Sequence, residues 1–575
     1  MGETPNQNRN QNTGRTTGRT TERGIIMQDR NAESHFGHIE TTNIKRSIFH
    51  MLFRNLSTCN AGDIIPFFTY SDVLPGDTIK INTNAVVRMQ TPLNPTMDDA
   101  FVDTYYFAIP QRLVWDHWKE FMGENKDSAW VSQTEYTIPQ LKISTQATAD
   151  ALTGTIIDYM GIPKKIPGLE FSALPIRAYI LTYNTWFRNQ NLIAPITEYT
   201  DDTTRNVIAT SATVGGTVLK ASKIPDYFTT CLPDAQKGTA TPIPLGTDAP
   251  VITGARHDVS TTGMTWKVAS SNTNYTTTAN RTLVVQNSET AYNQQQQGGT
   301  SGVSINPDNL YADLTNATAA TINALRLYFQ IQKLKELGAR GGTRYFEVIK
   351  NEFGTSPSMS ALQYPEYLGG KRTPLNVTQI VQESSTVSNS QSLGTTGGMS
   401  HTVFSNDDFT KSFQEHTIIL GLMVIRQYHT YQQGLHRMWS RTKKLDFYTP
   451  ILAHLGEQPV YKKEIYAMGT LTGSTDNDVF GYQERWAEYK YGNQIITGEM
   501  NSMYNTPLDM WHYGDKYASS PTLAQNWIEE TPEYIDRTIA VTSATAHQFK
   551  FDIVSNVTAI RPMPVYCTPG LIDHF

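Results

Sequence analysis

The stretch Asp98–Gly123, DDAFVDTYYFAIPQRLVWDHWKEFMG, changes its hydrophobic period partway along. As far as Ile109 the period is two: Phe101, Asp103, Tyr105, Phe107 and Ile109 share one face, and Val102, Thr104, Tyr106 and Ala108 the other. Both faces are largely apolar, so this strand needs cover on both sides. Pro110 ends it, and Val114, Trp118, Phe121 and Met122 then recur at helical spacing, which predicts an amphipathic helix stopping at Gly123. A doubly covered strand leading into an aromatic-rich helix is a packing unit, with no chemistry visible in it.

Text of the same kind surrounds this unit. From Ile44 to Ile81 come short apolar runs, FHMLF, DIIPFFTY and DVLPGDTIKI, with Pro75-Gly76 predicting a type II turn. They read as the opening strands of a barrel or sandwich, and Val86–Met89 continues the series. Lys126–Ala151 is polar and reads as loop, whereas Ala173–Leu192 predicts a second helix with Tyr179, Tyr183, Trp186, Phe187 and Gln190 on one face. A third helix is predicted at Asn323–Leu337, with Ala324, Leu327, Ile331 and Leu334 inward and Gly338 closing it. Phe346–Val381 is turn-rich, and His416–Tyr431 predicts a long strand with both faces apolar from Ile418 to Ile425. Asp446–Leu455 and Val460–Tyr466 add shorter elements, and the proline-stiffened apolar end, Arg561–Phe575, predicts a segment docked on its own body or on a neighbouring subunit.

Composition fits strands on long polar loops. Charged residues are only 17% of 575, below the usual quarter, while aromatics reach 10%. The three cysteines, Cys59, Cys231 and Cys567, lie too far apart in sequence for a C-x-x-C knuckle and are expected as free buried thiols of a reducing compartment. The longest apolar run, Thr417–Ile425, is too short for a bilayer, so the expectation is a soluble protein kept in a cytoplasm unless released by lysis. Net charge is −6, from 47 basic and 53 acidic side chains, which argues against nucleic acid being neutralised over the whole surface. Any such contact must be local or shared with a basic partner.

Two segments invite that local reading. Residues 1–30 are too polar to fold and form an arm in which Arg9, Arg15, Arg19 and Arg23 could lie on phosphates, although Glu3, Glu22 and Asp29 dilute the charge and a plain solvated tail is the simpler reading. Met27 could be an internal start. Around Gly341-Gly342, the cations Lys333, Lys335, Arg340 and Arg344 suggest anion contact, against the alternative of a helix cap with solvated charges; the P-loop pattern is absent. His35, His38 and Glu40 lack the spacing of a helical zinc motif, and no cofactor is expected.

Residues from about 200 to 308 are dense in Thr, Ser, Asn and Gly, with strands predicted at Met264–Ala269 and Arg281–Gln286 around an Asn/Thr turn. They read as an exposed β insertion, where Tyr227, Trp266, Tyr275 and Tyr292 are the aromatic candidates for surface attachment. The carboxylate pairs Asp98/Asp99, Asp201/Asp202 and Asp407/Asp408 are poor acid–base pairs, because neighbours on a strand point to opposite faces. With no nucleophile elbow, Walker A or dinucleotide fingerprint, an enzyme is not expected.

Nine stretches in order, among them FHMLFRNLSTCNAGDIIPFFTYSDVLPGDTI, PLNPTMDDAFVDTYYFAIPQRLVWDHWKEFMGEN, LPIRAYILTYNTWFRNQNL, TYQQGLHRMWSR, FGYQERWAEYKYG and RPMPVYCTPGLIDHF, resemble the microvirus major capsid protein in its gokushovirus branch. The resemblance implies a mainly β protein: a single eight-stranded antiparallel jelly roll with helix-containing loop insertions, self-assembled into the simplest icosahedral shell. Beyond the polar arm, set by composition at 1–40, it divides the chain into the first part of the jelly roll (41–199), a surface protrusion at the three-fold axes suspected of host attachment (200–308), and the remainder (309–575). It further implies as partners packaged single-stranded DNA, a small basic DNA-binding virion protein, a minor pilot protein and a host cell-surface receptor. The protein would be located in the virion, with assembly in the bacterial cytoplasm. The insertion matches by position only, and the arm before Met27 departs from the pattern. The readings that compete with a coat subunit are a β-sandwich glycan-binding or glycan-cleaving protein and a nucleic-acid binder.

Overall fold

The computed structural model describes residues 45–125, 134–239, 322–384 and 393–566, save 472 and 493, together with the backbone of six short strands between 240 and 321. Eight strands carry the fold: β1 Ser47–Cys59, β2 Ile65–Val73, β3 Thr78–Met89, β4 Ala100–Pro110, β5 Glu366–Pro374, β6 Thr402–Ser412, β7 Thr417–Gln427 and β8 Phe549–Arg561. They form two four-stranded antiparallel sheets, ordered β1-β8-β3-β6 and β5-β4-β7-β2. Every consecutive pair except β4 and β5 changes sheet, which is the connectivity of a viral-capsid jelly roll. The predicted fold class is the observed one.

β4 sits where its two apolar faces require. Tyr106 points between the sheets, its hydroxyl 2.8 Å from Thr83 Oγ1 and 3.0 Å from Ser555 Oγ, so it ties β4 to both central strands of the facing sheet. On the opposite face Tyr105 and Phe107 meet Phe187 edge-on at 5.3 and 5.9 Å between ring centroids. No residue of β4 is exposed. Beside it Gly421 of β7 leaves room for Phe67, Phe68 and Tyr106, since a Cβ there would lie within 2.8–3.0 Å of all three. The Pro75-Gly76 turn is type II as predicted, with Gly76 at φ +90° and Asp77 N–H donating to the Leu74 carbonyl.

The cover over β4 is α1, Leu174–Thr182, which continues as a π turn through Tyr183–Phe187. It stops short of the predicted Leu192, but Tyr179 is fully buried and donates to the Ile64 carbonyl at 2.9 Å. The predicted helix after Pro110 is a 3-10 turn, Gln111–Leu113, and a four-residue helix, Trp118–Phe121. The break lies where residues 200–202 pin the chain: Asp116 N–H donates to the Thr200 carbonyl, and Trp115 Nε1 and His117 both bond Asp202. The predicted loop Lys126–Ala151 holds a short strand, Gln140–Lys142, and a helix, Gln146–Asp150, which Thr145 caps by accepting from Thr148 N–H.

Two further expectations are corrected. The third predicted helix, α2, spans Ile322–Arg340, so Gly338 lies inside it and the turn comes at Gly342, φ +89°. Its predicted inward residues Leu327 and Leu334 are 58% and 52% exposed, and the packed side carries Gln332 and Ala339 instead. The turn-rich text from Phe346 to Val381 contains α3, Tyr345–Phe353, and the whole of β5. Gly370 in β5 reads as turn punctuation, but it is there because the Thr104 carbonyl of β4 occupies the place of a Cβ.

Candidate functional surfaces

Within residues 201–239, read from sequence as part of the insertion, the stretch from Val207 to Cys231 lies in the packed body: Val207, Val214, Val218, Ala221, Ile224 and Cys231 are buried. Beyond them, 251–253 pairs antiparallel with 310–312, and 281–284, 292–296, 303–307 and 266–268 form one four-stranded sheet in that order. The excursion therefore closes on itself, its entering and leaving strands paired. Both predicted strands exist, but they stand at opposite edges of that sheet and not across one turn.

The attachment candidates separate accordingly. Trp266 and Tyr292 are on strands of the excursion, and Tyr275 lies outside the described residues. Tyr227 belongs to the body, where its hydroxyl donates to Glu464 Oε2 at 3.1 Å and its ring meets Phe228 and Tyr491. It lines a cleft of about 570 Å³ shared with Tyr428, Tyr431, His436 and Arg437. Burial raises the pKa of Glu464, against Arg437, which lowers it from 3.3 Å away.

The basic candidates around Gly341-Gly342 are largely spent on the protein itself. Arg340 is ion-paired with Glu457, whose carboxylate is almost inaccessible, and Lys335 donates to the Thr239 carbonyl at 2.7 Å. Arg344 holds Glu347 and donates to the carbonyls of Asn184 and Arg188, so it ties α3 to the end of α1. Only Lys333 among the four points to solvent without such a tie among the described residues. Arg9, Arg15, Arg19 and Arg23, Met27, the His35/His38/Glu40 group and Cys567 lie outside the described residues, while Cys59 and Cys231 are free and buried as expected.

The carboxylates that could have done chemistry are structural ties. Asp201 holds Arg205 at 2.6 and 2.7 Å, Asp202 holds Trp115 and His117, and Asp407 and Asp408 point to opposite sides of β6, toward Lys80 and Thr83. Sequence reasoning missed two buried ionic clusters. Asp103, on the covered face of β4, takes Arg372 bidentately at 2.7 and 2.9 Å and Arg426 as well; burial works against its charge, but the two guanidiniums hold its pKa below the usual value. An aspartate at an apolar-patterned position is the signal that could have found it.

The second cluster is His429, just beyond β7. Its ring lies 2.7 Å from Asp515 and 3.1 Å from Glu530, and Lys223 is 3.4 Å from Asp515. Burial disfavours charge on this ring, but the two carboxylates outweigh it and push its pKa up to about 10, while His429 and Lys223 hold Asp515 low. Four segments distant in sequence meet there, and the cluster fastens the cover to the end of β7. Among the described residues no group of His, Cys, Asp and Glu is arranged to hold a metal.

A jelly roll whose buried charges tie its strands and insertions to one another has the architecture of a viral coat subunit. The profile of the family described as Capsid protein (F protein) matches residues 37–571, and the chain belongs to that family. It is 38% identical to Capsid protein VP1 of Spiroplasma virus 4, covering 95% of this chain and 99% of that one. It is 36% identical to Capsid protein VP1 of Bdellovibrio phage phiMH2K, over 95% and 99% of the two chains, and 35% identical to that of Chlamydia phage 1, over 94% and 98%. The gokushovirus resemblance read from sequence stands.

Proposed function

We propose that this chain is the major coat subunit of a small single-stranded DNA phage, self-assembling into a closed icosahedral shell around the genome. The observation that carries the reading is a capsid-family match running through the whole jelly roll, from 37 to 571. Exposed apolar side chains support it: Ile48, Leu52 and Leu56 on β1, Leu327, Phe329 and Leu334 on α2, and Ile451 at 93% exposure are surface that contact between copies would cover. Pro562–Tyr566 leaves the body exposed, as suits a terminus that docks on a neighbour.

In this reading the paired-strand excursion projects at the three-fold axes, and its aromatic residues Trp266, Tyr275 and Tyr292 meet a host receptor. A small basic virion protein supplies the charge that an acidic coat lacks, a pilot protein completes the particle, and assembly takes place in the bacterial cytoplasm. Electron microscopy of the purified full-length chain tests the core of it: closed particles of one diameter are expected, and soluble monomers under every assembly condition would refute it. Deleting residues 254–307 is expected to leave particles intact and abolish adsorption to the host.

A further inference from the structure

Among the described residues no insertion covers one face of the β1-β8-β3-β6 sheet, and the strand register lays its outward side chains in rows. In one row Thr58 stands opposite Lys550, and Lys550 opposite Arg88. Since Thr402 pairs with Val87, His401 reaches the same level from the next strand. Lys550 and Arg88 are both exposed and sit on the two central strands. Like charges directly opposite on antiparallel strands repel one another.

Elsewhere on this face the cations are matched. Arg54 grips Asp552 at 2.9 and 2.5 Å, and Lys80 holds Asp407 at 3.0 Å. Lys550 and Arg88 have no carboxylate partner among the described residues. An acidic chain thus keeps, on its one open sheet face, two adjacent unmatched cations that an oxyanion would reconcile by bridging them. The rest of the face is amide, hydroxyl and aliphatic, with Asn82, Asn84, Asn556, Thr558 and the imidazole of His50, and among the described residues it carries no Phe, Tyr or Trp on which a base could stack. Its chemistry suits a phosphate backbone read without regard to sequence.

We propose that Lys550 and Arg88 form a phosphodiester-binding site for single-stranded nucleic acid, and that the open sheet faces the enclosed genome. The choice of polymer over free phosphate rests on the coat-subunit reading. The test uses the purified full-length chain, a fluorescent oligothymidine and anisotropy over a salt series, comparing wild type with Arg88→Gln/Lys550→Gln and with a control pair, Arg326→Gln/Lys333→Gln, on α2. The site variant is expected to lower the slope of log affinity against log salt by about 0.7 to 1.4, the contribution of one or two phosphates on a single strand, while the control does not. Equal affinity and slope in wild type and site variant would overturn the site, as would an equal loss in the control. Displacement of the oligonucleotide by inorganic phosphate at matched ionic strength would overturn the assignment to a polymer. Microscopy of the same preparations separates the two readings: shells with no binding difference refute the site alone, and a binding difference without shells refutes the coat assignment alone.

Discussion

β7 and β8 both run through the middle of a four-stranded sheet, yet β7 buries ten of its 11 residues and β8 alternates buried with outward positions along all 13. The β7 sheet has the facing sheet on one side and α1 with residues 222–223 on the other, where Arg426 donates to the Ser222 carbonyl. The β8 sheet has the core on one side and, among the described residues, no cover on the other. The chain has placed its cover on a single sheet, which fixes two kinds of text: a continuous apolar run where both faces are dry, and strict alternation where one is wet. It also decides where charge is costly. On the covered sheet a charge must be paired in the interior, as Asp103 is, whereas on the open sheet it can wait for a ligand.

The largest effect is expected where the covered sheet holds charge. Asp103→Ala would leave Arg426, 12% exposed, without its carboxylate and free one side of Arg372. Losing one partner of a buried pair costs about 3–5 kcal/mol. Urea unfolding of the purified chain should show a midpoint shift of that size, and Asp552→Ala, which unpairs Arg54 on the open sheet, should show almost none. Similar shifts in the two variants would mean that the sheets do not differ in cover.

A smaller effect, dependent on pH, is expected where the cover is fastened. The folded pKa of His429 is raised above its ordinary value of 6.5 to about 10, so its contribution is complete below about 6.5 and lost as pH climbs through 10. Asp515 is shifted the other way, so its contribution is complete above about 3.8 and lost as pH falls toward 2. Thermal stability should therefore hold between these limits and decline on the alkaline side, and His429→Gln should remove the part of that decline that this ring supplies. An unchanged alkaline limb in the variant would show that the ring is not charged in the folded chain.

The covered sheet was the more legible of the two. Phe101–Ile109 and Ile418–Ile425 announce two-sided burial by their composition, and both strands are found there. The alternation of Phe549, Phe551, Ile553, Val557 and Ala559 is equally plain, but β8 was not among the predicted elements, and β5 was hidden because Gly369 and Gly370 serve close strand approach and not a turn. The outward Leu327 and Leu334 of α2 show the limit of periodicity: it finds the apolar stripe without saying whether the chain's own body covers it. The surface sites were the least legible. Lys550 and Arg88 are remote in sequence and meet only through strand register, while the eye-catching cluster at Arg340 and Arg344 is consumed by Glu457 and Glu347.

The smallest effect tests the open face directly, by making one substitution on each sheet. Leu420 in β7 is fully buried and Leu52 in β1 is 68% exposed. Leu420→Thr removes packed methyl groups and strands a hydroxyl in an apolar layer, for which a loss of about 2–5 kcal/mol is ordinary. Leu52→Thr removes side-chain surface that water already wets and replaces it with a good strand former, so the unassembled chain should change by less than about 0.5 kcal/mol. Equal losses in the unassembled chain would mean that the face is covered by the subunit itself. A Leu52→Thr cost that appears only in assembled particles would mean that another copy covers β1, and would confine the open part of the sheet to the central strands β8 and β3.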